Sequence, residues 1–234
     1  MTNFNQSKLK KATKVFNDVF NKYDLMNDIM SLGIHRVWKK KMIDWMSPQK
    51  GDYLIDMASG TGDIPKAFLE RTEFLGKVAC VEPNKLMMSE GKKKLKNFEN
   101  IIWYHSLAEK LPFENETFDI YSVSFGIRNF ADINSAVKEA RRVLKTGGRI
   151  LCLEFSKIDN EFLNKFYKLY SKSIPVIGKY VVGNSEPYEY LTKTIEDFYN
   201  QEELSNILRK NGFENVEFRN LSGGIVALHS GWKI

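Results

Sequence analysis

The sequence of 234 residues has little cysteine and no long hydrophobic run. Its two cysteines, Cys80 and Cys152, lie within apolar runs typical of buried strands, which argues against a disulfide framework and against a cysteine-based metal site. No apolar run approaches the length of a membrane span, and the first residues contain no apolar core of a signal peptide. We therefore expect a cytoplasmic protein, one that can associate peripherally with the inner face of a membrane.

The chain also has no acidic excess. Its formal net charge is +6, from 35 Lys and Arg against 29 Asp and Glu. A positive charge permits attraction to nucleic acid or to an anionic membrane surface. A lysine-rich solvated surface is the simpler explanation, so charge alone does not indicate a function.

From residue 52 onwards, apolar runs alternate with amphipathic helical patterns. This alternation favours a mostly parallel sheet covered by helices on both faces. Near the C-terminus two strand patterns are joined by Ser-Gly-Gly, a link short enough for an antiparallel hairpin. The sequence therefore predicts an α/β protein with a sheet of about seven strands, mostly parallel, with an antiparallel last strand.

We predict one domain over residues 1–234. Helical patterns at residues 8–23 and 35–46 form an N-terminal cap, assigned to 1–50, and the cofactor-binding core follows at 51–155. A helical insertion at 156–200 and the last helix with the final strands at 201–234 complete the chain.

A glycine-rich turn follows the first strand of the core, in the stretch YLIDMASGTGDIPKAF. Open parallel sheets bind ligands at the carboxyl ends of their strands, and glycines such as Gly60 and Gly62, on either side of Thr61, let the backbone approach a ligand closely. A dinucleotide fingerprint would have a third glycine where Pro65 stands. Asp63 also places a negative charge at the helix N-terminus, where a pyrophosphate would bind. A ligand with adenosine but no phosphate, such as S-adenosylmethionine, fits this turn better.

Residues after the next three strands could complete the ligand site. Glu82 ends the second strand, where a carboxylate can accept hydrogen bonds from both ribose hydroxyls. Alternatively, Glu82 caps the helix that begins near Asn84. Leu107 and Ala108 offer apolar surface for adenine, and Ser124 ends the fourth strand at the same crevice.

Longer stretches stand in order around this turn: YDLMNDIMSLGIHRVWK, DMASGTGD, SFGIRNFAD with RRVLKTGGRILCLEFS, and YEYLTKTI with NLSGGIVALHSGWK. This set resembles the ubiquinone/menaquinone biosynthesis C-methyltransferase family, within the class I S-adenosylmethionine-dependent methyltransferases. The resemblance implies a Rossmann-like fold with S-adenosylmethionine as cofactor and no metal. It also implies that the chain methylates a ring carbon of a polyprenylated quinol, which is 2-polyprenyl-6-methoxy-1,4-benzoquinol, demethylmenaquinol or both. It places the cofactor positions of the family on Thr61, Glu82, Leu107, Ala108 and Ser124, with Glu82 standing where the family commonly has Asp.

The chemistry of ring methylation suggests further candidates. A ring carbon is a poor nucleophile until a ring hydroxyl loses its proton, so the site must take that proton or stabilise the phenolate. Arg128, just past the fourth strand, remains protonated and is predicted to stabilise the phenolate; the alternative is a surface salt bridge. Asn129 is predicted to hydrogen-bond a ring oxygen. Candidates for proton removal are Tyr23, Asp24 and His35. Each has an alternative role: Tyr23 could form a wall of the ring site, Asp24 could cap a helix, and His35 could make a structural hydrogen bond.

The stretch 162–183 combines aromatic and aliphatic residues with flanking lysines. This pattern is typical of a helix at a membrane interface, and an ordinary lid helix packed on the core fits it equally well. We expect this segment and the N-terminal helices to wall the quinol site and to contact the membrane. A homodimer and a larger quinone-biosynthesis assembly are both compatible with the sequence.

Three other functions compete with this interpretation. A class I methyltransferase of another lipid-like or small phenolic substrate should lack the N-terminal signature. A nucleic-acid methyltransferase is suggested only by the basic charge. Such an enzyme would have a catalytic Cys or an Asn-Pro-Pro-Tyr-type motif after the fourth strand, and this chain has SFGIRN there. We therefore expect no nucleic-acid partner. A scaffold without turnover would not need the intact glycine turn or Arg128.

Overall fold

The computed structural model describes residues 3–20, 25, 27–28, 31–158 and 185–234. Within these ranges, seven strands form one sheet: β1 (Tyr53–Met57), β2 (Lys77–Val81), β3 (Ile101–Tyr104), β4 (Phe118–Ser124), β5 (Leu144–Phe155), β6 (Glu214–Leu221) and β7 (Val226–Trp232). Their order is β3-β2-β1-β4-β5-β7-β6. Neighbouring strands are parallel except that β7 runs antiparallel to both β5 and β6. The predicted sheet is confirmed, including its antiparallel last strand.

Helices alternate with the strands along the core, as the sequence predicts. Their bounds are α1 (Asn3–Val19), α2 (His35–Met46), α3 (Asp63–Arg71), α4 (Lys85–Lys94), α5 (Ile133–Val143), α6 (Glu186–Glu196) and α7 (Gln201–Lys210). None of the helices in the described part of the chain is both long enough and apolar enough to cross a membrane.

Two hydrophobic cores lie on opposite faces of the sheet. Because side chains alternate along a strand, Val78 and Cys80 of β2 enter one core, and Ala79 and Val81 enter the other. The first core includes residues of α2, α3 and α6, and the second includes residues of α5 and α7. Both cysteines are free and buried, in agreement with the sequence.

Helix boundaries follow local capping chemistry. The side chains of Asn84, Asp132 and Asn200 each accept a backbone N–H in the first turn of α4, α5 and α7. Gly212 follows α7 with φ of 87°, a left-handed conformation that suits glycine. The pattern predicted at 35–46 matches α2 at both ends, whereas α1 begins at Asn3, five residues before the predicted start at residue 8.

The start of β5 differs from expectation. The sequence suggests a separate turn at Thr146–Gly148 before the strand, but β5 already begins at Leu144. The N–H of Gly147 donates to the carbonyl of Lys233 at 2.7 Å, and the pairing of β5 with β4 shifts register in this region. The glycines therefore form an irregularity within a strand rather than a turn before it.

Candidate active site

A cavity of about 160 Å³ lies at the carboxyl ends of β1, β2 and β4. Residues after these strands and after β3 line it, as expected for an open parallel sheet. Helix α1 lies across it and contributes Ala12, Thr13 and Phe16 to the lining. The cavity is thus formed by the core of the sheet on one side and by the N-terminal cap on the other.

The glycine turn after β1 has the backbone conformation that the sequence predicts. Gly60 and Gly62 have φ of 56° and 86°, and Gly60 lines the cavity. Gly91 of α4 packs directly against this turn, since a Cβ at Gly91 would lie 2.9 Å from the Gly60 carbonyl oxygen and 2.2 Å from Cη2 of Trp103. Gly91 was not among the predicted site residues, although a glycine inside a helical pattern is a signal of close packing.

Glu82 ties β2 to the glycine turn. One of its carboxylate oxygens accepts the N–H of Gly60 at 2.8 Å, and the other accepts the N–H of Asn84 at 2.8 Å. Burial raises the pKa of Glu82 to about 7, against the opposing effect of these hydrogen bonds. Asn84 itself caps α4 through Leu86 and Met87. Each oxygen of Glu82 keeps a further lone pair, and the side chain lines the cavity.

The surroundings of Asp63 correct one step of the sequence argument. Its carboxylate is 2.8 Å from Nζ of Lys39 and 2.7 Å from Nζ of Lys94. Burial alone would raise the pKa of Asp63, but the two lysines hold it well below its usual range. Its negative charge is therefore compensated and does not by itself repel a pyrophosphate. Pro65 has the stronger effect, because it removes one N–H from the first turn of α3 that a phosphate would use.

Of the other predicted cofactor residues, Leu107 and Ala108 line the same cavity. Thr61, Gly62 and Ser124 are not among the described residues that line it. Thr61 is buried in the glycine turn and accepts a hydrogen bond from Nζ of Lys94 at 3.4 Å. Ser124 ends β4, and its buried Oγ has no hydrogen-bond partner among the described residues. Their predicted roles toward a cofactor stay predictions.

Arg128 lies in a single 3-10 turn, Ile127–Asn129, directly after β4. Its Nη1 is 2.6 Å from Oε1 of Glu154 on β5 and donates to the carbonyl of Phe125 at 2.7 Å. Burial raises the pKa of Glu154, with Arg128 opposing it. The pair is buried, so Arg128 does not form the surface salt bridge considered from the sequence. Within the described ranges, its buried Nε has no hydrogen-bond partner.

Asn129 follows in the same turn and lines the cavity. The hydroxyl of Tyr190, on α6, donates to Oδ1 of Asn129 at 3.0 Å. Two further candidates, Tyr23 and Asp24, lie outside the described residues. His35 is buried, and its Nε2 is 3.0 Å from Oδ1 of Asp28, a contact that fits the structural alternative for this histidine.

Helix α1 forms one wall of the cavity, and the sequence predicts that the N-terminal helices wall the substrate site. That this wall contacts the quinol stays a prediction. Polar contacts help to hold the helix in place: Lys14 pairs with Glu186 of α6 at 3.0 Å, and Nδ2 of Asn84 donates to Asn17 at 2.8 Å. The second contact links α1 directly to the segment that carries Glu82.

The sheet topology and the glycine turn beside a strand-end carboxylate define the class: this is a class I S-adenosylmethionine-dependent methyltransferase fold. Solved structures share it. A SAM-dependent methyltransferase from Thermotoga maritima has a TM-score of 0.63 at 21% identity and covers 94% of this chain and 99% of its own. A second, from Aquifex aeolicus, has a TM-score of 0.63 at 15% identity and covers 84% of this chain and 89% of its own.

The chain belongs to the ubiE/COQ5 methyltransferase family, whose model matches residues 1–233. A relative from Ruegeria sp. (strain TM1040), named ubiquinone/menaquinone biosynthesis C-methyltransferase UbiE, is 46% identical over 231 residues, which cover 97% of this chain and 92% of the relative. A relative of the same name from Rickettsia felis is 44% identical and covers 100% of this chain and 99% of its own length. The family suggested by the sequence motifs is thus confirmed.

Proposed function

We propose that this chain transfers a methyl group from S-adenosylmethionine to a ring carbon of a polyprenylated quinol in ubiquinone or menaquinone biosynthesis. The observation that carries the proposal is the cavity at the strand ends, in a chain that matches relatives named for this reaction over nearly its whole length.

The residues around the cavity fit S-adenosylmethionine. The Glu82 carboxylate has lone pairs available for the two ribose hydroxyls, and Leu107 and Ala108 offer apolar contact for adenine. The unpartnered Oγ of Ser124 is a polar atom that a bound ligand would satisfy. S-adenosylmethionine supplies the electrophilic methyl group, so the remaining tasks of the protein are alignment and the exclusion of water.

Arg128 and Asn129 are the groups proposed to act on the quinol ring. Phe125, Gly126 and Asn129 line the cavity, and Arg128 is not itself among the described residues that line it. Its position in the same turn as Asn129 supports the proposal. Because Glu154 offsets its charge, Arg128 would stabilise a phenolate mainly through its remaining N–H groups. Tyr23 keeps its proposed role as a hydrogen-bond partner or wall of the ring.

The test of the function is methyl transfer from labelled S-adenosylmethionine to each reduced quinol, presented in detergent at matched concentration. Product from the benzoquinol, the naphthoquinol or both is the expected result. Transfer to neither, with S-adenosylmethionine binding intact, would overturn the choice of substrate. The role of Arg128 is tested by Arg128→Lys, for which we expect reduced turnover, and full turnover at neutral pH contradicts that role.

A polyprenyl tail also implies contact with a membrane, and one described surface suits it. We call it the basic apolar face: the exposed aliphatic residues Leu32, Ile34 and Val37 with the exposed cations Lys40 and Lys41. Arg36 is exposed beside them, but Asp28 offsets its charge. Exposed apolar groups among lysines and arginines are suited to an anionic bilayer. Trp38, on the other side of α2, packs against Phe125 and Phe155 beside the site. The other segment expected to reach the membrane, 162–183, lies outside the described residues.

Flotation with anionic vesicles tests the basic apolar face. Leu32 is 72% exposed and Leu75, on another part of the surface, is 59% exposed, so Leu32→Gln and Leu75→Gln are matched substitutions. We expect weaker vesicle binding for Leu32→Gln and for Lys40→Gln with Lys41→Gln, and unchanged binding for Leu75→Gln. Equal binding by all variants would exclude this face.

A further inference from the structure

Tyr190 connects α6 to the turn after β4. Its side chain is only 7% exposed, and its hydroxyl is 3.0 Å from Oδ1 of Asn129, a residue 61 positions earlier in the chain. A carbonyl oxygen can only accept a hydrogen bond, so the tyrosine hydroxyl is the donor. Burial raises the pKa of Tyr190, with Arg128 opposing the shift, so the hydroxyl keeps its proton at neutral pH.

The ring of Tyr190 is held by the helix that crosses the cavity. It packs with Ala12 and Val15 of α1, and Nζ of Lys11 lies 5.8 Å from the ring centroid. Ala12 also lines the cavity. Tyr190 therefore contacts one wall of the site through its ring and Asn129, in the opposite wall, through its hydroxyl.

We propose that Tyr190 is a positioning residue for Asn129 in the reaction. With Oδ1 bound to the tyrosine hydroxyl, the amide cannot rotate freely about its last bond, and its NH₂ group is the end left to bind substrate. Among the described residues nothing accepts a hydrogen bond from Nδ2 of Asn129. An N–H donor at this position would bind the ring oxygen of the quinol, and the bond would strengthen as negative charge develops on that oxygen.

This inference rests on the proposed function, because the acceptor is the ring oxygen of a quinol. It adds a residue that contacts neither cofactor nor substrate and that acts only through Asn129. Without the tyrosine hydroxyl the amide could rotate and present its carbonyl oxygen, which would repel a phenolate. The substitution should therefore lower turnover more than substrate binding.

The decisive comparison is between Tyr190→Phe and Tyr188→Phe. Tyr188 lies on the same helix and is fully buried, and its hydroxyl has no hydrogen-bond partner in the described ranges, so it is a matched control. For Tyr190→Phe we expect kcat to fall roughly tenfold, while KM and the Kd for S-adenosylmethionine change by less than about twofold. Tyr188→Phe should keep turnover within about twofold of the wild type.

A double-mutant cycle identifies the partner. In an Asn129→Ala background, Tyr190→Phe should cause almost no further loss, because the amide it positions is absent. Full turnover by Tyr190→Phe, equal losses in both tyrosine variants, or fully additive losses with Asn129→Ala would each overturn the proposal.

A second readout separates this inference from the choice of substrate. In ¹⁵N-labelled protein, the side-chain NH₂ signals of Asn129, identified by their loss in Asn129→Ala, should shift in Tyr190→Phe and not in Tyr188→Phe. If the wild type methylates neither quinol, the proposed function fails but these shifts still report the Tyr190–Asn129 contact. Unchanged signals in Tyr190→Phe would overturn the positioning role even in an active enzyme.

Discussion

The site has two halves, one around the carboxyl ends of β1 and β2 and the other around those of β4 and β5. The halves differ in whether their buried polar groups have hydrogen-bond partners. In the β1–β2 half, the carboxylates of Glu82 and Asp56 and the amide of Asn84 all have hydrogen-bond partners within the chain. At the carboxyl ends of β4 and β5, three buried polar atoms have no partner among the described residues: Ser124 Oγ, Arg128 Nε and Ser156 Oγ.

This difference shows which half of the site has its polar side chains fixed by hydrogen bonds before a ligand binds. A buried polar atom without a partner costs about 1–3 kcal/mol, so native proteins keep few of them. The β1–β2 half satisfies these polar groups from within the chain and is preorganised for its ligand. The β4–β5 half keeps unpaired donors close to the place where we propose that the quinol ring binds.

The largest effect is expected from the buried ion pair of the β4–β5 half, between Arg128 and Glu154. Glu154→Gln leaves the buried Arg128 without its counter-charge, and breaking a buried ion pair in this way costs about 3–5 kcal/mol. Chemical denaturation measures the free energy of unfolding. The control is Glu90→Gln, which breaks an exposed pair with Lys93 and should cost about 0.5 kcal/mol or less. Equal losses of unfolding free energy in both variants would mean that the buried ion pair stabilises the protein no more than an exposed pair does.

A smaller effect is expected from crowding the β1–β2 half. In Gly91→Ala the new Cβ collides with Trp103 and with the Gly60 carbonyl, and overpacking of this kind costs about 1–3 kcal/mol. Because the collision reaches the glycine turn, affinity for S-adenosylmethionine should fall as well. Calorimetry gives both quantities. Ser89→Ala, at an exposed position of the same helix, should change neither. Normal affinity in Gly91→Ala would show that the turn is less rigid than the contacts imply.

The smallest effect is a dependence of cofactor affinity on pH. Burial raises the pKa of Glu82 to about 7, and ribose hydroxyls donate to its ionised form. Affinity should therefore rise with pH through 7, roughly tenfold between about pH 6 and pH 8. Glu82→Gln should bind S-adenosylmethionine more weakly and should lose the rise of affinity that comes from Glu82. Any dependence on pH that remains in this variant reports titration of the ligand itself. Parallel curves for the two proteins would contradict the assignment of Glu82.

The same contrast explains what the sequence could predict. The strands, the glycine turn and Glu82 follow from patterns within about thirty residues, where periodicity and capping decide the structure. The contacts of Arg128 with Glu154 and of Tyr190 with Asn129 join different elements of the fold. Glu154 stands in the apolar run RILCLEF, and a lone charge in a buried strand indicates that a partner exists without indicating which residue it is.

The position of α1 has a consequence for the timing of the catalytic cycle. After each methyl transfer the spent cofactor must leave, and α1 lies across the cavity that would hold it. Besides the Asn84–Asn17 hydrogen bond and the packing of Ala12 and Val15 on Tyr190, an ion pair holds the helix to α6. The two side chains of that pair are 63% and 49% exposed, so salt screens it readily. We therefore expect the first helix to act as a gate for the cofactor. Release of the spent cofactor should become faster as ionic strength rises, while the rate of methylation itself should not change.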